Sequence, residues 1–248
     1  MRKLNLCHCE RPSVARQSSQ KIVDLLDCFA LRARNDRVGF TLAEVLITLG
    51  IIGVVAALTL PALVLRIGKQ HLEASFTKGY STLQGALSSL NQEQGFETTP
   101  ENYDHISFYY NIINHVKILR SARRGNYAAN AGYKDFNKKY NISLSLFDDG
   151  QIILQDGTFW AIENPYNGPD THIMVFVDTN GMMKQPNALG HDLFVFQIVN
   201  DGKLLPMGAQ GTEYEDSDLC SKTYDSNVNG MTCALKALTE PDYFKNLP

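Results

Sequence analysis

Residues 39–65 read GFTLAEVLITLGIIGVVAALTLPALVL, and this stretch decides the fold of the N-terminal part of the chain. From Val45 to Leu65 it holds 21 residues without a charge. At a rise of about 1.5 Å per residue, such a helix spans the roughly 30 Å hydrocarbon core of a bilayer. A secretory signal peptide has a shorter apolar region, about 7–15 residues, with a small-residue cleavage site after it. Here the small residue, Gly39, comes before the apolar run, so the stretch predicts a membrane-spanning helix.

Glu44 is the one charge between residues 40 and 65. A charged side chain at the bilayer centre costs about 2.5–3.5 kcal/mol on insertion scales, so such an acid is expected to be paired or functional. The order of glycine, aromatic residue and acid before a long apolar helix resembles the N-terminal signature of type IV pilins and type II secretion pseudopilins. The matching residues are Gly39, Phe40, Thr41, Leu42 and Glu44, followed by the apolar helix with Pro61.

The resemblance implies roles for these residues. In that family a membrane aspartyl peptidase, the prepilin peptidase, cuts after the glycine and methylates the new terminal amine, which here means cleavage between Gly39 and Phe40. The helices then bundle in a filament core, where Glu44 pairs with the amine of a neighbouring subunit and the segment before Pro61 can unwind. The partners implied are the peptidase, other pilin or pseudopilin subunits, an inner-membrane assembly platform and the lipid bilayer.

The charges of the chain are unevenly distributed. Residues 1–39 contain eight Lys/Arg and four Asp/Glu, a net charge of +4; since the whole chain carries −3, the remainder carries −7. A basic flank before a single span orients the N-terminus towards the cytoplasm, which predicts a bacterial inner-membrane protein with a periplasmic C-terminal part. The acidic C-terminal part argues against nucleic acid as the principal ligand, because phosphate binding needs a basic surface.

The cysteines divide at the same point. Three precede the expected cut and two, Cys220 and Cys233, follow it. An even number on the oxidising side of the membrane predicts a Cys220–Cys233 disulfide, worth about 3 kcal/mol in the chain-entropy model.

After Leu65 the pattern predicts that the helix continues as an amphipathic rod and ends at Gly95, with a break near Gly68 as the alternative. The apolar positions that define one buried stripe are Leu72, Phe76, Tyr80, Leu83, Leu87 and Leu90.

A capping-box pattern, Thr98 with Glu101, predicts a second helix from Pro100 to Arg120. Residues 121–141 lack periodicity and predict a basic surface loop.

From Ile142 onwards, short apolar runs separated by turn residues predict an antiparallel meander of five or six strands. The expected strands are Ile142–Phe147, Gln151–Gln155, Thr158–Ile162, His172–Val177, Leu193–Val199 and Lys203–Leu205. A helical spine packed on an antiparallel sheet is an α+β fold. The expected division is a cleaved cytoplasmic leader (1–39), a transmembrane helix (40–65), an amphipathic continuation (66–97), a helix with a variable loop (98–141) and the sheet head with its disulfide-bracketed tail (142–248).

The loop between residues 178 and 192 combines carboxylates and amides on a turning backbone. Hard oxygen ligands of this kind suit Ca²⁺, and the resembling major pseudopilins hold calcium in a loop near the C-terminal sheet. Asp178, Asn180 and Asp192 are the expected side-chain ligands. The competing interpretation is an Asx-turn loop whose side chains cap its own backbone. No other cofactor is expected.

Catalytic signatures of the metalloprotease, hydrolase and phosphate-binding types do not occur in the sequence, and Asp148-Asp149 is read as a hairpin turn. The sequence therefore predicts a structural subunit of a type II secretion pseudopilus or pilus-like filament, not an enzyme. Two alternatives stay open: a major or minor type IV pilin for adhesion, motility or DNA uptake, and a membrane-anchored periplasmic binding domain that never polymerises.

Overall fold

A computed structural model describes residues 40–103, 106–123, 127–164, 172–215 and 217–248. Gly39 and the expected leader lie outside these residues. By its internal contacts the chain divides into two compact units, Met1–Ala57 and Leu58–Pro248. The fold is α+β, as predicted: a long N-terminal apolar helix is followed by a six-stranded antiparallel sheet.

The long helix, α1, runs from Leu42 to Gln94 and is 53 residues long. It continues through Pro61 and through Gly68, so the alternative of two helices with a break near Gly68 is wrong. Gly95 follows it with a φ of 76°, and the Gly95 amide donates to the carbonyl of Asn91 at 2.9 Å. A left-handed glycine of this kind closes a helix without a Cβ clash, which confirms the predicted end.

The predicted stripe of α1 packs against one face of the sheet. Phe76, Leu83, Leu87 and Leu90 are at most 5% exposed, and Leu72 and Tyr80 are partly buried against the same core. The Phe76 ring lies 4.4 Å from that of Phe194 on the sheet. The hydrophobic face of the helix therefore fixes the second half of α1 to the head.

The sheet is a meander in which each strand pairs with the next in the chain. Its strands are β1 (Ile118–Ala122), β2 (Gly150–Leu154), β3 (Phe159–Glu163), β4 (Ile173–Asp178), β5 (Leu193–Ile198) and β6 (Leu204–Pro206). The described residues also form two short α-helices, α2 (Ser107–Ile112) and α3 (Cys233–Thr239). Strands β2 to β6 lie where the sequence predicts them, within one residue at each end.

The predicted helix from Pro100 to Arg120 is wrong over most of its length. The α-helical part is only α2, followed by a 3₁₀ turn, and Ile118–Ala122 forms the edge strand β1 instead. Thr98 does not cap a new helix: its amide and hydroxyl both donate to the Asn91 side chain on α1, at 2.9 and 2.6 Å. The main-chain hydrogen bonds of β1 come from pairing with β2, a distant segment. The apolar spacing within residues 100–120 does not show that this partner exists.

The predicted strand Ile142–Phe147 is also wrong, because residues 144–147 form a 3₁₀ helix. Ser143 caps it by accepting a hydrogen bond from the amide of Ser145. Serine side chains can form local hydrogen bonds with the backbone that compete with strand pairing. This competition explains why the alternating apolar pattern predicted a strand where a 3₁₀ helix forms.

Both faces of the sheet are covered. Every residue of β4 and β5 is buried, so a second core lies on the face opposite α1. Part of the segment predicted as a basic surface loop builds this cover, since Tyr133 and Asp135 are buried there. That prediction is therefore wrong for the middle of residues 121–141, where a buried tyrosine packs against Phe147 and Phe159.

Candidate functional site

At the start of α1, Thr41 and Glu44 form a reciprocal cap. The Glu44 carboxylate accepts hydrogen bonds from the Thr41 amide and hydroxyl, both at 2.9 Å. The Glu44 amide donates to the Thr41 hydroxyl oxygen at 3.2 Å. This is a capping box, which satisfies amides that the first turn of a helix leaves without partners.

The first half of α1 exposes its apolar side chains. Leu42 is 81% exposed, and Leu58, which begins the second unit, is 76% exposed. By length and composition the helix can cross a membrane, and none of its most apolar window is buried. An exposed apolar surface of this size marks a contact with lipid or protein, since soluble monomers rarely tolerate one.

A second candidate site lies where the loop between β4 and β5 closes. Asp178 ends β4 and Asp192 precedes β5, and the Thr179 amide donates to the Asp192 carbonyl at 2.8 Å. Both aspartates are fully buried. Antiparallel pairing of β4 with β5 therefore brings together two carboxylates that are 14 positions apart in the sequence.

Each of these carboxylates accepts hydrogen bonds. Asp178 accepts from the amides of Asn180 and Gly181, at 3.2 and 2.8 Å, and from the Tyr133 hydroxyl at 2.6 Å. Asp192 accepts from the amides of residues 187 and 188, both at 2.8 Å. The local Asx-type bonds of the competing interpretation are thus present around both acids.

Burial dominates the electrostatics of this pair. It raises the pKa of Asp178 to about 7, with the neighbouring Asp192 charge as the next cause. It raises the pKa of Asp192 to about 6. Burial, together with the charge of Asp192 acting on Asp178, disfavours the charged forms, and a cation bound beside the two carboxylates would offset this.

Two amide oxygens at the same loop are available to a cation. The Oδ1 atoms of Asn180 and Asn187 are buried and have no hydrogen-bond partner among the described residues. Asn187 is only 1% exposed and donates through Nδ2 to the carbonyls of Ala131 and Met182. Buried oxygens of this type fit Ca²⁺ chemistry, so the residues present are compatible with that ion.

The loop is held at both ends by glycines. Gly181 has a φ of 88°, and a Cβ there would lie 2.2 Å from the Gly157 carbonyl oxygen in the β2–β3 turn. Gly190 has a φ of 74°, and its Cβ would lie 2.6 Å from Sγ of Cys233. Only glycine allows these approaches, so the neighbouring turn and the disulfide help to fix the two aspartates.

Residues 35–60 match one family model, described as the prokaryotic N-terminal methylation motif. The chain carries the prepilin-type methylation motif. The match covers 26 residues and is the signature of type IV pilins and pseudopilins. No curated protein and no solved structure shows significant similarity to the chain.

The methylation motif spans the features that the sequence singled out. Glu44 and Phe40 lie within it at the start of the exposed helix. Gly39, the expected cleavage residue, lies within the motif but outside the described residues. Pro61 lies one position beyond the match and inside α1. The motif is that of a pilin-like structural protein with a membrane-anchoring helix.

In the structure, Cys220 and Cys233 form a disulfide with a Cα–Cα distance of 5.0 Å. Cys233 begins α3 and is fully buried, so the bridge ties the C-terminal tail to the core beside Gly190.

Sequence reasoning missed Tyr133 as a member of the loop site, and it placed Asn187 in the loop without naming it as a ligand. Tyr133 lies 45 positions before the Asp178 that it contacts. Its signal in the sequence is an aromatic residue within a polar stretch, which does not identify the partner. Sequence reasoning also interpreted Asp148-Asp149 only as a turn. In the structure, carboxylate oxygens of Asp148, Asp149 and Glu163 lie within 4.8 Å of one another.

Proposed function

We propose that the protein is a structural subunit of a type II secretion pseudopilus or a pilus-like filament. The observation that carries this proposal is the prepilin-type methylation motif at the head of an apolar helix whose side chains are exposed. In this proposal the prepilin peptidase cleaves after Gly39, and α1 first anchors the subunit in the inner membrane. The helix later leaves the bilayer to join the filament core.

The chemistry of assembly follows from two charges in an apolar setting. Cleavage gives Phe40 a free or methylated amine, which is cationic at neutral pH. Glu44 of one subunit pairs with that amine on its neighbour, since each charge is costly in lipid when it stands alone. Gly50 and Gly53 favour close helix contact, because glycine has no side chain to hold a neighbouring backbone away. The space around both positions is open in the single subunit.

The test of this proposal is the N-terminus of the mature protein. The chain is produced in its host and isolated from the membrane fraction, and the terminal residue is determined by Edman sequencing and intact mass. We expect Phe40 as the first residue, with one methyl group on its amine. An N-terminus at Met1 contradicts the filament proposal and favours the membrane-anchored domain that does not polymerise.

Pseudopilins and type IV pilins share this motif, so the motif by itself fits both machines. Electron microscopy of cells that produce the protein distinguishes them. Long surface filaments that contain the chain assign it to a type IV pilus. Dependence of protein secretion on the chain, without surface filaments, assigns it to the secretion pseudopilus.

We also propose that the loop between β4 and β5 holds Ca²⁺. Asp178, Asn180 and Asp192 would bind it, with Asn187 contributing its buried amide oxygen. The unpartnered Oδ1 atoms of the two asparagines support this proposal, because buried carbonyl oxygens otherwise lose hydrogen bonds without compensation. When bound, the cation neutralises the two buried carboxylates and stabilises the loop that packs beside the disulfide.

A further inference from the structure

A cavity of about 510 Å³ lies within the unit Leu58–Pro248, beside the segment of α1 where the uncharged run ends. Its wall on the helix includes Val64, Gly68 and Lys69. The opposite wall comes from the head, through Lys138 and Lys184. Three lysines from distant parts of the chain therefore line one cavity.

These three lysines differ from other described lysines in their contacts with acidic side chains. Elsewhere in this unit, Lys78, Lys139 and Lys245 each lie within 3.1 Å of a carboxylate. Among the described residues, the three cavity lysines form no ion pair of that kind. Burial lowers the pKa of Lys138, and the charge of the buried Asp192 partly opposes this effect. The lysines give the cavity a positive potential, although the net charge of this part of the chain is negative. Such a potential favours an anionic ligand.

Two of the lysines are held in place by the C-terminal tail. Lys69 donates to the main-chain carbonyl of Lys245 at 2.5 Å, and Lys138 donates to the main-chain oxygen of Pro248 at 2.9 Å. An ammonium group has three donors, so each keeps further N–H groups for a ligand. Lys184 is exposed, and its ammonium group has no hydrogen-bond partner among the described residues. Within the part of the chain that the structure describes, the cavity thus holds two lysines positioned by the tail and one whose ammonium group has no partner.

The position of Lys69 along α1 indicates the source of the anion. The uncharged run ends at Leu65, and Lys69 follows four residues later, about 6 Å further along the helix axis. The headgroup layer on each side of a bilayer is roughly 5–8 Å thick. Lys69 therefore lies at the depth of lipid phosphates when the apolar run spans the hydrocarbon core.

We propose that this cavity binds the phosphate headgroup of an anionic phospholipid while the subunit is stored in the membrane. The inference rests on the membrane-anchor part of the proposed function. Val64 gives the cavity an apolar side next to the upper acyl chain, and the lysines face the phosphate. Lysines at a membrane surface attract anionic lipid in this way. The contact holds the head at the membrane until the subunit is extracted into a filament.

The test uses the full chain in dodecyl maltoside micelles, titrated with phosphatidylglycerol or phosphatidylcholine, with bound lipid counted by native mass spectrometry. We expect phosphatidylglycerol to bind more tightly, in a salt-sensitive manner. Lys184→Gln should weaken that binding about fivefold, and Lys138→Gln with Lys184→Gln about 25-fold. Lys184→Arg should bind as the unmodified chain does. Lys222→Gln, at an exposed lysine outside the cavity, is the matched control and should change binding less than twofold.

Three results overturn the proposal. One is equal binding of the two lipids, and another is unchanged phosphatidylglycerol binding by the double variant. The third is binding of inorganic phosphate or glycerol 3-phosphate as tight as that of the lipid, which makes the cavity a site for a soluble anion. None of these results affects cleavage between Gly39 and Phe40. An uncleaved Met1, in turn, removes the filament proposal and leaves the lipid result standing.

Discussion

In the single subunit, Thr41 and Glu44 are joined by three hydrogen bonds. The Glu44 carboxylate accepts two hydrogen bonds from Thr41 at 2.9 Å, and the Glu44 amide returns one to the Thr41 hydroxyl oxygen. Glu44 therefore caps its own helix in addition to the pairing that we propose for it in the filament. The two roles depend on different properties, because a capping box needs an oxygen acceptor and an amine partner needs a negative charge.

Substitutions at these two positions separate capping from pairing. Glu44→Gln keeps the acceptor of the capping box and removes the charge, so we expect normal membrane insertion and loss of filament incorporation. Thr41→Ala removes the cap at a cost of about 1 kcal/mol in helix stability, but keeps the charge, so incorporation should persist. Immunoblots of sheared filaments and membranes measure both. Normal incorporation of Glu44→Gln contradicts the pairing role, and equal defects in both variants assign Glu44 to capping alone.

Loss of the disulfide should destabilise the head. The bridge closes a loop of 13 positions, which the chain-entropy model values at about 3 kcal/mol. The double variant Cys220→Ala with Cys233→Ala should lower the free energy of unfolding by about that amount, measured by urea titration of the full chain in detergent. Treatment of the unmodified chain with dithiothreitol is the control and should give a similar loss. An unchanged urea midpoint shows that the bridge contributes nothing to stability.

Calcium should stabilise the head through the loop between β4 and β5. At saturating Ca²⁺ we expect the thermal midpoint of the full chain to rise by about 3–8 °C. Asp192→Asn should abolish this rise, because it removes one of the two buried charges. Asp201→Asn, at an exposed aspartate in another turn, should keep it. Mg²⁺ is the second control and should act weakly, since it gives up its bound water reluctantly. The calcium proposal is contradicted if calorimetric titration shows no heat of Ca²⁺ binding and the thermal midpoint does not shift.

Glu163 should make the stability of the head depend on pH. Burial, then the charges of Asp149, Asp148 and Glu213, raises its pKa to about 7, and its Oε2 atom has no hydrogen-bond partner among the described residues. Because the folded state binds this proton more tightly than the unfolded state, stability falls as pH rises from about 4.5 through 7.

The variant Glu163→Gln should therefore be more stable than the unmodified chain at pH 8, by about 1 kcal/mol, a figure reduced because the side chain is partly exposed. At pH 4.5 the two should differ little. Urea titrations at both pH values measure this difference. Glu101→Gln, at an exposed glutamate, is the control and should show no such dependence. An equal effect of Glu163→Gln at both pH values contradicts the assignment.

The methylation motif, the apolar helix and the α+β class could be predicted from the sequence because each depends on local order. A membrane span needs only consecutive apolar residues, and the stripe from Leu72 to Leu90 needs only helical spacing. Strands β2 to β6 were also readable, because turn residues separate their apolar runs. The C-terminal cysteines are the only two after the expected cut, so their pairing was readable as well.

The tertiary structure decided what depends on distant partners. Ile118–Ala122 is a strand because β2 supplies the main-chain hydrogen bonds, although its own pattern favours a helix. Tyr133 reaches Asp178 across 45 positions, and the lysines at 69, 138 and 184 share one cavity only once the loops have packed. Local periodicity records which way a side chain faces along its own element. Strand pairing and packing decide which residue contacts that side chain across the core, and no local sequence pattern contains that information.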